Sequence, residues 1–239
     1  MTWVVCNLSD AEAAAFLTMD ACMRFEGEIV NSNSMSTLRK VQVENRTYFL
    51  KIYHRRGKGL RRFIGRSRVR AEWENLQLFK DLCVPTARLV AYGEQQNTGI
   101  VITEEVSGTV DLVNLAESHP KGLTRYCVEK IIDRLTMHVR NLHSHGFIHS
   151  DLKWRNILVG GTGNEVEVYI IDCPQGRKLV GPLFRRGVLK DLACLDFDAK
   201  YRLSKTMRMR FYLKYRERDR LNSRAKREIH KILHFFDGK

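Results

Sequence analysis

The segment from Gly146 to Asp172, GFIHSDLKWRNILVGGTGNEVEVYIID, limits the fold of this chain more than any other stretch. Asp151 and Asn156 follow a glycine that should end a helix, and Asp172 ends a run of β-type residues. The strands NILV and VEVYIID, joined by the turn GGTGNE, form a predicted hairpin that returns Asp172 to the side of Asn156. A turn role explains one such residue, since Asp and Asn are common in turns, but it does not explain three that converge.

These converging side chains predict a cation site. Mg²⁺ suits them because it takes few carboxylates and completes its shell with water and phosphate. A second group, made of His143, His145, His149 and Asp151, raises the alternative of a metal cluster. Its first two histidines lie near the predicted helix end, where imidazole suits the last backbone carbonyls.

Lys51 and Glu72 are both out of place unless they pair with each other. Lys51 lies inside the strand YFLKIY, where a lysine is unexpected unless its ammonium group contacts an anion. The alternative is that Lys51 lies on an edge strand and prevents aggregation. Glu72 falls on the apolar face of the helix in RSRVRAEWENLQLFKDL, where an unpaired carboxylate is costly. We expect a Lys51–Glu72 pair, with Glu74 as the alternative partner if the helix phase differs by half a turn.

The order of elements predicts an α+β chain. Three β-type runs, around 28–30, 37–43 and 47–53, form a predicted antiparallel meander, which a helix and the strands ARLVAYGEQ and TGIVITEEV follow. A strongly amphipathic helix, RYCVEKIIDRLTMHVRNLHSHG, comes next, and the pattern is helical again from Leu189 to Phe236. We expect a small β-rich N-terminal lobe of residues 1–103 and a helical C-terminal lobe of residues 104–239, which together form one catalytic unit.

The net charge of +14 is concentrated in two stretches. Residues 51–70 contain nine Lys/Arg and no acid, and residues 174–239 contain 19 Lys/Arg against seven Asp/Glu. Such stretches attract nucleic acid, anionic lipid head groups or a phosphorylated glycolipid, although each could also be a solvated face.

Several classes of protein are disfavoured by the composition. No segment approaches the roughly 18 uninterrupted apolar residues of a membrane span, and the N-terminus lacks the basic start of a secretory signal. The six cysteines include no CxxC pair, which is typical of reduced thiols rather than of disulfides or a zinc site. We therefore expect a cytoplasmic chain.

Together these features resemble the protein-kinase-like fold: a strand lysine, a helix glutamate, the loop HSDLKWRN and a strand pair ending in IID. The motifs VPTARLVAYGE, HSDLKWRNILV, IIDCPQGR, LKDLACL and MRFYLKYRE are most similar to the bacterial Kdo/heptose lipopolysaccharide core kinases, a group that includes WaaP and InaA-like members. The resemblance covers nearly the whole chain.

The resemblance implies a bilobal fold and transfer of the γ-phosphoryl group of ATP to a sugar hydroxyl. Asp151 would orient that hydroxyl and accept its proton, while Asn156 and Asp172 would hold Mg²⁺. Lys51, fixed by Glu72, would bind the phosphates. The remaining implied roles are adenine contacts from the backbone of Glu104 to Val106, support of the loop by His149, and a brace below it from Asp191.

Two departures from the kinase pattern bear on activity. NSNSMST stands where a glycine-rich phosphate loop is usual, so we expect backbone N–H groups and hydroxyls there to meet the phosphates without a glycine. Cys173 and Pro174 follow Asp172 in place of Phe-Gly, and only 18 residues separate Asp172 from Asp191. A peptide-docking activation segment is therefore not expected.

The resulting hypothesis is an ATP-dependent kinase of the lipopolysaccharide inner core, acting on core or lipid A precursors at the cytoplasmic face of the inner membrane. An anionic membrane surface is a further possible partner, whereas we expect neither nucleic acid nor an obligate protein partner. The alternatives are a protein or small-molecule kinase on the same fold and a low-activity regulatory or stress protein that retains it.

Overall fold

The computed structural model describes residues 2–57, 65–119, 123–161 and 165–237. Contacts divide the chain into two compact units. The first unit comprises Met1–Leu78, Ala87–Ser107 and Cys173–Gln175, and the second comprises Phe79–Thr86, Gly108–Asp172 and Gly176–Lys239.

The first unit is built on a six-stranded antiparallel sheet with the order β1-β5-β6-β4-β3-β2. Its elements are β1 (Thr2–Val5), α1 (Asp10–Ala15), α2 (Met19–Arg24), β2 (Glu28–Ser32), β3 (Ser36–Val43), β4 (Arg46–Tyr53), α3 (Arg68–Asp81), β5 (Leu89–Gln95) and β6 (Thr98–Glu104). The meander predicted for β2 to β4 is confirmed. The prediction of five strands was wrong by one, because the short β1 gains its hydrogen bonds only by pairing with the distant β5.

Helices cover both faces of this sheet. Leu50 and Ile52 of β4 pack on one face with Phe16 and Met19, which belong to the α1–α2 region. The alternate residue Tyr53 packs on the other face with Val69 and Trp73 of α3, and the same alternation of side chains places Lys51 on that face. The helix stripe predicted for α3 is confirmed, since Val69, Trp73, Leu76 and Phe79 are all buried.

The second unit is mainly helical. Its elements are β7 (Thr109–Asp111), α4 (Leu112–Glu117), α5 (Arg125–Ser144), β8 (Phe147–Ile148), a 3₁₀ turn (Trp154–Asn156), β9 (Ile157–Gly160), β10 (Glu167–Ile170), β11 (Arg177–Lys178), α6 (Gly181–Arg202), α7 (Lys205–Tyr215) and α8 (Ser223–Leu233). The strands form two small antiparallel sheets, β10-β9-β7 and β11-β8. No helix in the described ranges is long and apolar enough to cross a membrane.

The predicted amphipathic helix is α5. Its apolar stripe is buried as expected: Val128, Ile131, Ile132, Leu135, Val139 and Leu142. His145 caps its C-terminus, and Gly146 follows with a φ of 72°, in the left-handed region that glycine enters without strain. The helix therefore ends at the glycine that the sequence indicated.

Two predicted boundaries were wrong. The helical region predicted from Leu189 begins at Gly181, because Pro182 in the first turn has the φ of a helix and needs no hydrogen-bond partner for its missing N–H. The strand predicted as NILV begins at Ile157, since Asn156 belongs to the 3₁₀ turn. Residues 58–64 of the basic stretch and 162–164 of the hairpin turn lie outside the described residues.

Candidate active site

The loop after β8 is closed by hydrogen bonds to one carbonyl. The backbone oxygen of Asp151 accepts from Lys153 N and from Asn156 Nδ2, both at 2.9 Å. Asn156 is buried, and because its amide nitrogen is committed to the loop, its Oδ1 is oriented away from that bond. This oxygen accepts no hydrogen bond from any described residue, so it can serve a cation.

Asp191 of α6 braces this loop. Its carboxylate is 0% exposed and accepts the backbone N–H groups of His149 and Ser150, both at 2.8 Å. It also faces Nε2 of His143 at 3.3 Å. Ser150 has a φ of 71°, which a non-glycine residue adopts only where its surroundings hold it. The structural role predicted for Asp191 is confirmed at the level of its contacts.

His149 is a neutral support. Burial lowers its pKa, although the nearby Asp191, Asp172 and Asp151 oppose that effect. Its Nε2 donates to the carbonyl of Ile171 at 3.3 Å, and its Nδ1 lies 3.4 Å from the backbone N of Asp151. One N–H donor and one acceptor are what a neutral imidazole offers, so the side chain links the residue before Asp172 to Asp151.

Asp172 is delivered by the hairpin that the sequence predicted. In the β9–β10 pair Ile157 lies opposite Ile170, and Ile171 N donates to Asn156 O at 3.0 Å. Asp172 follows with a φ of 57°, again in the left-handed region. This register places Asn156 opposite Ile171, the residue before Asp172, at the end of the strand pair.

In the first unit, Lys51 and Glu72 form the expected ion pair. Lys51 Nζ lies 3.0 Å from Glu72 Oε1, and the hydroxyl of Tyr53 donates to Oε2 of the same carboxylate. Both oxygens of this buried group therefore have partners. The alternative was wrong: Glu74 binds Arg66 at 2.9 Å and Arg70 at 2.8 Å near the surface.

The NSNSMST segment forms a tight turn between β2 and β3. Asn33 Oδ1 accepts from the backbone N of Met35 at 2.8 Å and of Ser36 at 3.2 Å. Thr37 binds Ser32 and His54 through its hydroxyl, at 3.0 and 2.9 Å. Two of the N–H groups that we expected to meet phosphate are therefore already engaged, because an Asn side chain competes for nearby amides.

The predicted adenine segment begins at the end of β6. Glu104 N donates to Arg88 O at 2.9 Å, and Glu105 N donates to Thr47 O at 2.8 Å. The side chain of Glu104 is bound by Arg88 Nε at 2.5 Å. The N–H groups of Glu104 and Glu105 are thus engaged within the first unit, and the adenine contacts of this segment stay a prediction.

Sequence reasoning missed Lys153. Its Nζ lies 2.7 Å from Asp151 Oδ1, and both side chains are partly exposed. The available signal was the spacing, since residues two apart in an extended segment point to the same side. A cation beside Asp151 can bind an arriving phosphate.

The alternative of a histidine metal cluster is wrong. No group of three His, Cys, Asp or Glu in the described ranges is arranged to hold a metal. His145 instead contacts the Asn141 carbonyl at 2.9 Å, and His143 binds the Tyr215 hydroxyl at 2.7 Å. All six cysteines are free thiols, as predicted.

Comparisons with known proteins agree with this fold. One solved structure, described as WaaP in complex with acyl carrier protein, matches with a TM-score of 0.78 and 21% identity over 98% of this chain and 96% of that chain. The match shows that this chain has the α+β kinase-like fold. No protein of curated function matches the sequence significantly.

The sequence pattern of the lipopolysaccharide kinase (Kdo/WaaP) family matches residues 23–219, which is most of the chain. Membership makes the chain a kinase and implies ATP as the donor and a lipopolysaccharide core sugar as the acceptor. The family and the activity predicted from the sequence are thereby confirmed. The chain belongs to the lipopolysaccharide kinase (Kdo/WaaP) family.

Proposed function

We propose that Asp151 is the catalytic residue that orients a sugar hydroxyl of the lipopolysaccharide inner core for attack on the γ-phosphorus of ATP. The sugar oxygen forms the new P–O bond, ADP leaves with the electrons of the broken bond, and the hydroxyl proton passes to Asp151. The observation that carries this proposal is the loop itself, because Asp191, His149 and Asn156 each bind its backbone. Such positioning is the main contribution that a protein makes to phosphoryl transfer.

Asn156 and Asp172 would hold Mg²⁺. Both offer oxygen atoms, which this hard cation prefers, and Asn156 Oδ1 is left available by the amide bond to Asp151 O. When bound, the cation would neutralise phosphate charge. These two residues do not supply a full shell, so water and phosphate would complete it.

Lys51 would bind the ATP phosphates, and Glu72 would hold the lysine in place. The ion pair and the Tyr53 hydroxyl leave the lysine a restricted position, which lowers the entropy cost of binding an anion. The Glu104 carbonyl and the backbone of Val106 would meet the adenine. In this proposal residues 1–103 supply the phosphate contact of Lys51, and residues 104–239 supply the adenine contacts, the Mg²⁺ ligands and the catalytic loop.

Lys153 would neutralise charge beside Asp151 as the γ-phosphoryl group arrives. Its Nζ is within hydrogen-bond distance of the proposed catalytic carboxylate and is partly exposed, so a phosphate oxygen can reach it. The acceptor would be core or lipid A precursor at the cytoplasmic face of the inner membrane. Nucleic acid is not an expected ligand.

Acyl carrier protein is a partner worth testing, since the solved WaaP structure is a complex with it. The second unit of this chain also contains a mostly apolar cavity of about 640 Å³, large enough for an acyl chain. Its apolar lining includes Leu112, Ile131, Leu135, Trp154, Leu195 and Ile232. Co-purification with acylated and unacylated acyl carrier protein would test this binding. Full activity and stability of the chain in the absence of acyl carrier protein would support the prediction that no obligate partner exists.

The decisive experiment is transfer of γ-labelled phosphate from Mg-ATP to extracted core lipopolysaccharide by the wild type and by Asp151→Ala. We expect label in the glycolipid with the wild type only, while both proteins bind ATP with similar affinity. Equal transfer by Asp151→Ala would remove the assigned role. No label in the glycolipid from a wild type that binds ATP would point to another acceptor.

A further inference from the structure

One exposed segment of the second unit combines positive charge with projecting apolar side chains. Arg177, Lys178, Arg185 and Arg186 are all exposed, and no acid lies between them. Val180 is 83% exposed and Leu183 is 65% exposed, at the start of α6. Exposure of two such residues at one turn leaves apolar surface in water with no compensating contact.

These cations differ from five others in or next to the nearby helices. None of the four forms an ion pair with any described residue, whereas Arg202, Arg208, Arg210, Lys214 and Arg216 each bind a carboxylate of the second unit. The paired side chains hold the helices together. The charge of the exposed segment therefore remains available to an external anion.

A basic groove adjoins this segment. It has a volume of about 400 Å³ and is lined by Phe184 and Arg185 of α6 and by residues of α8 and the loop before it. Its cations are Arg185, Arg216, Arg218, Arg224, Arg227 and Lys231. Glu228, the carboxylate in its lining, is bound by Arg216 and by the Tyr212 hydroxyl, so it does not neutralise the others.

We propose that residues 177–186 and this groove form one membrane-docking face that binds anionic lipid head groups, with Val180 and Leu183 entering the head-group region. The groove and the segment share Arg185, which makes their positive charge continuous. Basic side chains around exposed aliphatic ones are the pattern of proteins that lie on an anionic bilayer. Nucleic acid would use the charge but would leave the aliphatic pair in water.

Docking on lipid would place the proposed kinase at the membrane that holds its acceptor. This consequence rests on the proposed function. Binding to lipid needs neither ATP nor acceptor, so it can be measured separately from catalysis. A docked enzyme meets an acceptor whose lipid part lies in the same bilayer, which raises the local concentration of acceptor.

Sedimentation with vesicles tests the proposal directly. The full chain is mixed with vesicles of neutral phosphatidylcholine alone or with about one third phosphatidylglycerol, at near-physiological salt. We expect wild type to bind only the anionic vesicles. The triple variant Arg185→Ala/Arg224→Ala/Arg227→Ala should bind roughly 100-fold more weakly, and Val180→Ser/Leu183→Ser roughly tenfold more weakly.

Two matched controls should bind as the wild type does. Arg125→Ala removes an exposed cation that already pairs with Glu129, and Leu17→Ser removes an aliphatic side chain that is 71% exposed in the first unit. Equal vesicle binding by the wild type and both docking-face variants would overturn the proposal. So would displacement of the wild type from vesicles by a trace of oligonucleotide, which would assign the face to nucleic acid.

The same variants separate this inference from the proposed function. With detergent-dispersed acceptor, the triple variant should transfer phosphate at the wild-type rate, and with vesicle-embedded acceptor it should be slower by tenfold or more. Normal vesicle binding without any phosphorylation would support docking while contradicting the proposed reaction. Normal phosphorylation of embedded acceptor by the triple variant would contradict docking alone.

Discussion

Lys51 Nζ lies 3.0 Å from Oε1 of Glu72, across the face of the sheet that α3 covers. The carboxylate also accepts a hydrogen bond from the Tyr53 hydroxyl and is almost completely buried. A lysine held in this way keeps its charge in one place. Lys51 therefore compensates the charge of a buried carboxylate, and the same ion pair positions the lysine for the proposed binding of phosphate.

Replacing Lys51 with Met should abolish most activity while the fold survives. Glu72 would lose its bond to the Lys51 ammonium, and loss of one partner of a buried pair should lower the free energy of unfolding by about 2 to 3 kcal/mol. We expect kcat/KM to fall at least roughly 100-fold. Glu74→Gln is the matched control, because its partly exposed pairs with Arg66 and Arg70 are worth less than about 1 kcal/mol. A fully active Lys51→Met would contradict the phosphate role.

Replacing Asp172 with Ala should remove the Mg²⁺ dependence of nucleotide binding. Wild type should bind ATP more tightly as Mg²⁺ is added and lose that gain with a chelator, since Asn156 and Asp172 would hold the cation and the cation would neutralise phosphate charge. Calorimetry of both proteins with and without Mg²⁺ measures the difference. Asp151→Ala serves as the comparison, and an unchanged Mg²⁺ response in Asp172→Ala would exclude Asp172 as a ligand.

Asp191→Ala should be strongly destabilising. It leaves the buried N–H group of His149 and the partly buried N–H group of Ser150 without their acceptor, each at a cost of about 1 to 3 kcal/mol. We expect a total loss of about 3 to 5 kcal/mol in urea unfolding, with activity lost because the loop is no longer held. Asp198→Ala, on the same helix α6, should cost less than about 1 kcal/mol. Equal stability of the two variants would rule out the brace.

Mild acid should destabilise the protein through its buried histidines. Burial lowers the pKa of His149 and of His138 below the ordinary value of 6.5. Below pH 6.5 these two histidines therefore bind more protons in the unfolded chain than in the folded chain. The free energy of unfolding should fall with pH there, by up to about 1.4 kcal/mol per pH unit for each histidine.

Unfolding curves of His149→Gln and of the exposed His145→Gln across pH 7 to 5 check this assignment. His149→Gln should start less stable at pH 7 but lose less stability on acidification. His145→Gln should keep the wild-type slope. Parallel slopes in all three proteins would assign the acid sensitivity to other groups.

Much of the site could be predicted from the sequence because it depends on local rules. The glycine that ends α5, the five-residue spacing from Asp151 to Asn156 and the β9–β10 hairpin are each set by neighbouring residues. The Lys51–Glu72 pair followed from strand alternation and helix phase, since a charge on an apolar face needs a partner. The assigned catalytic roles stay predictions.

Other features depend on contacts between residues far apart in the chain. Strand β1 exists because β5 offers it a free edge, and TWVV alone is too short to indicate a strand. Lys153 became a candidate only once its Nζ was seen beside Asp151. Composition likewise could not separate Arg208, Arg210 and Lys214 of α7, which form ion pairs, from the cations of residues 177–186, which do not.

The sequence by itself therefore determined the α+β order, the family and the residue types of the proposed site, because periodicity, turns and motif spacing act over short distances. Only the tertiary structure decided which polar groups already have a hydrogen-bond or ion-pair partner within the protein. Asn33 takes the amides expected to meet phosphate, Glu74 is bound to surface arginines, and Asp191 is committed to the loop. The physical reason is that each polar atom makes few hydrogen bonds, and which partner it takes is settled by the packing of distant segments.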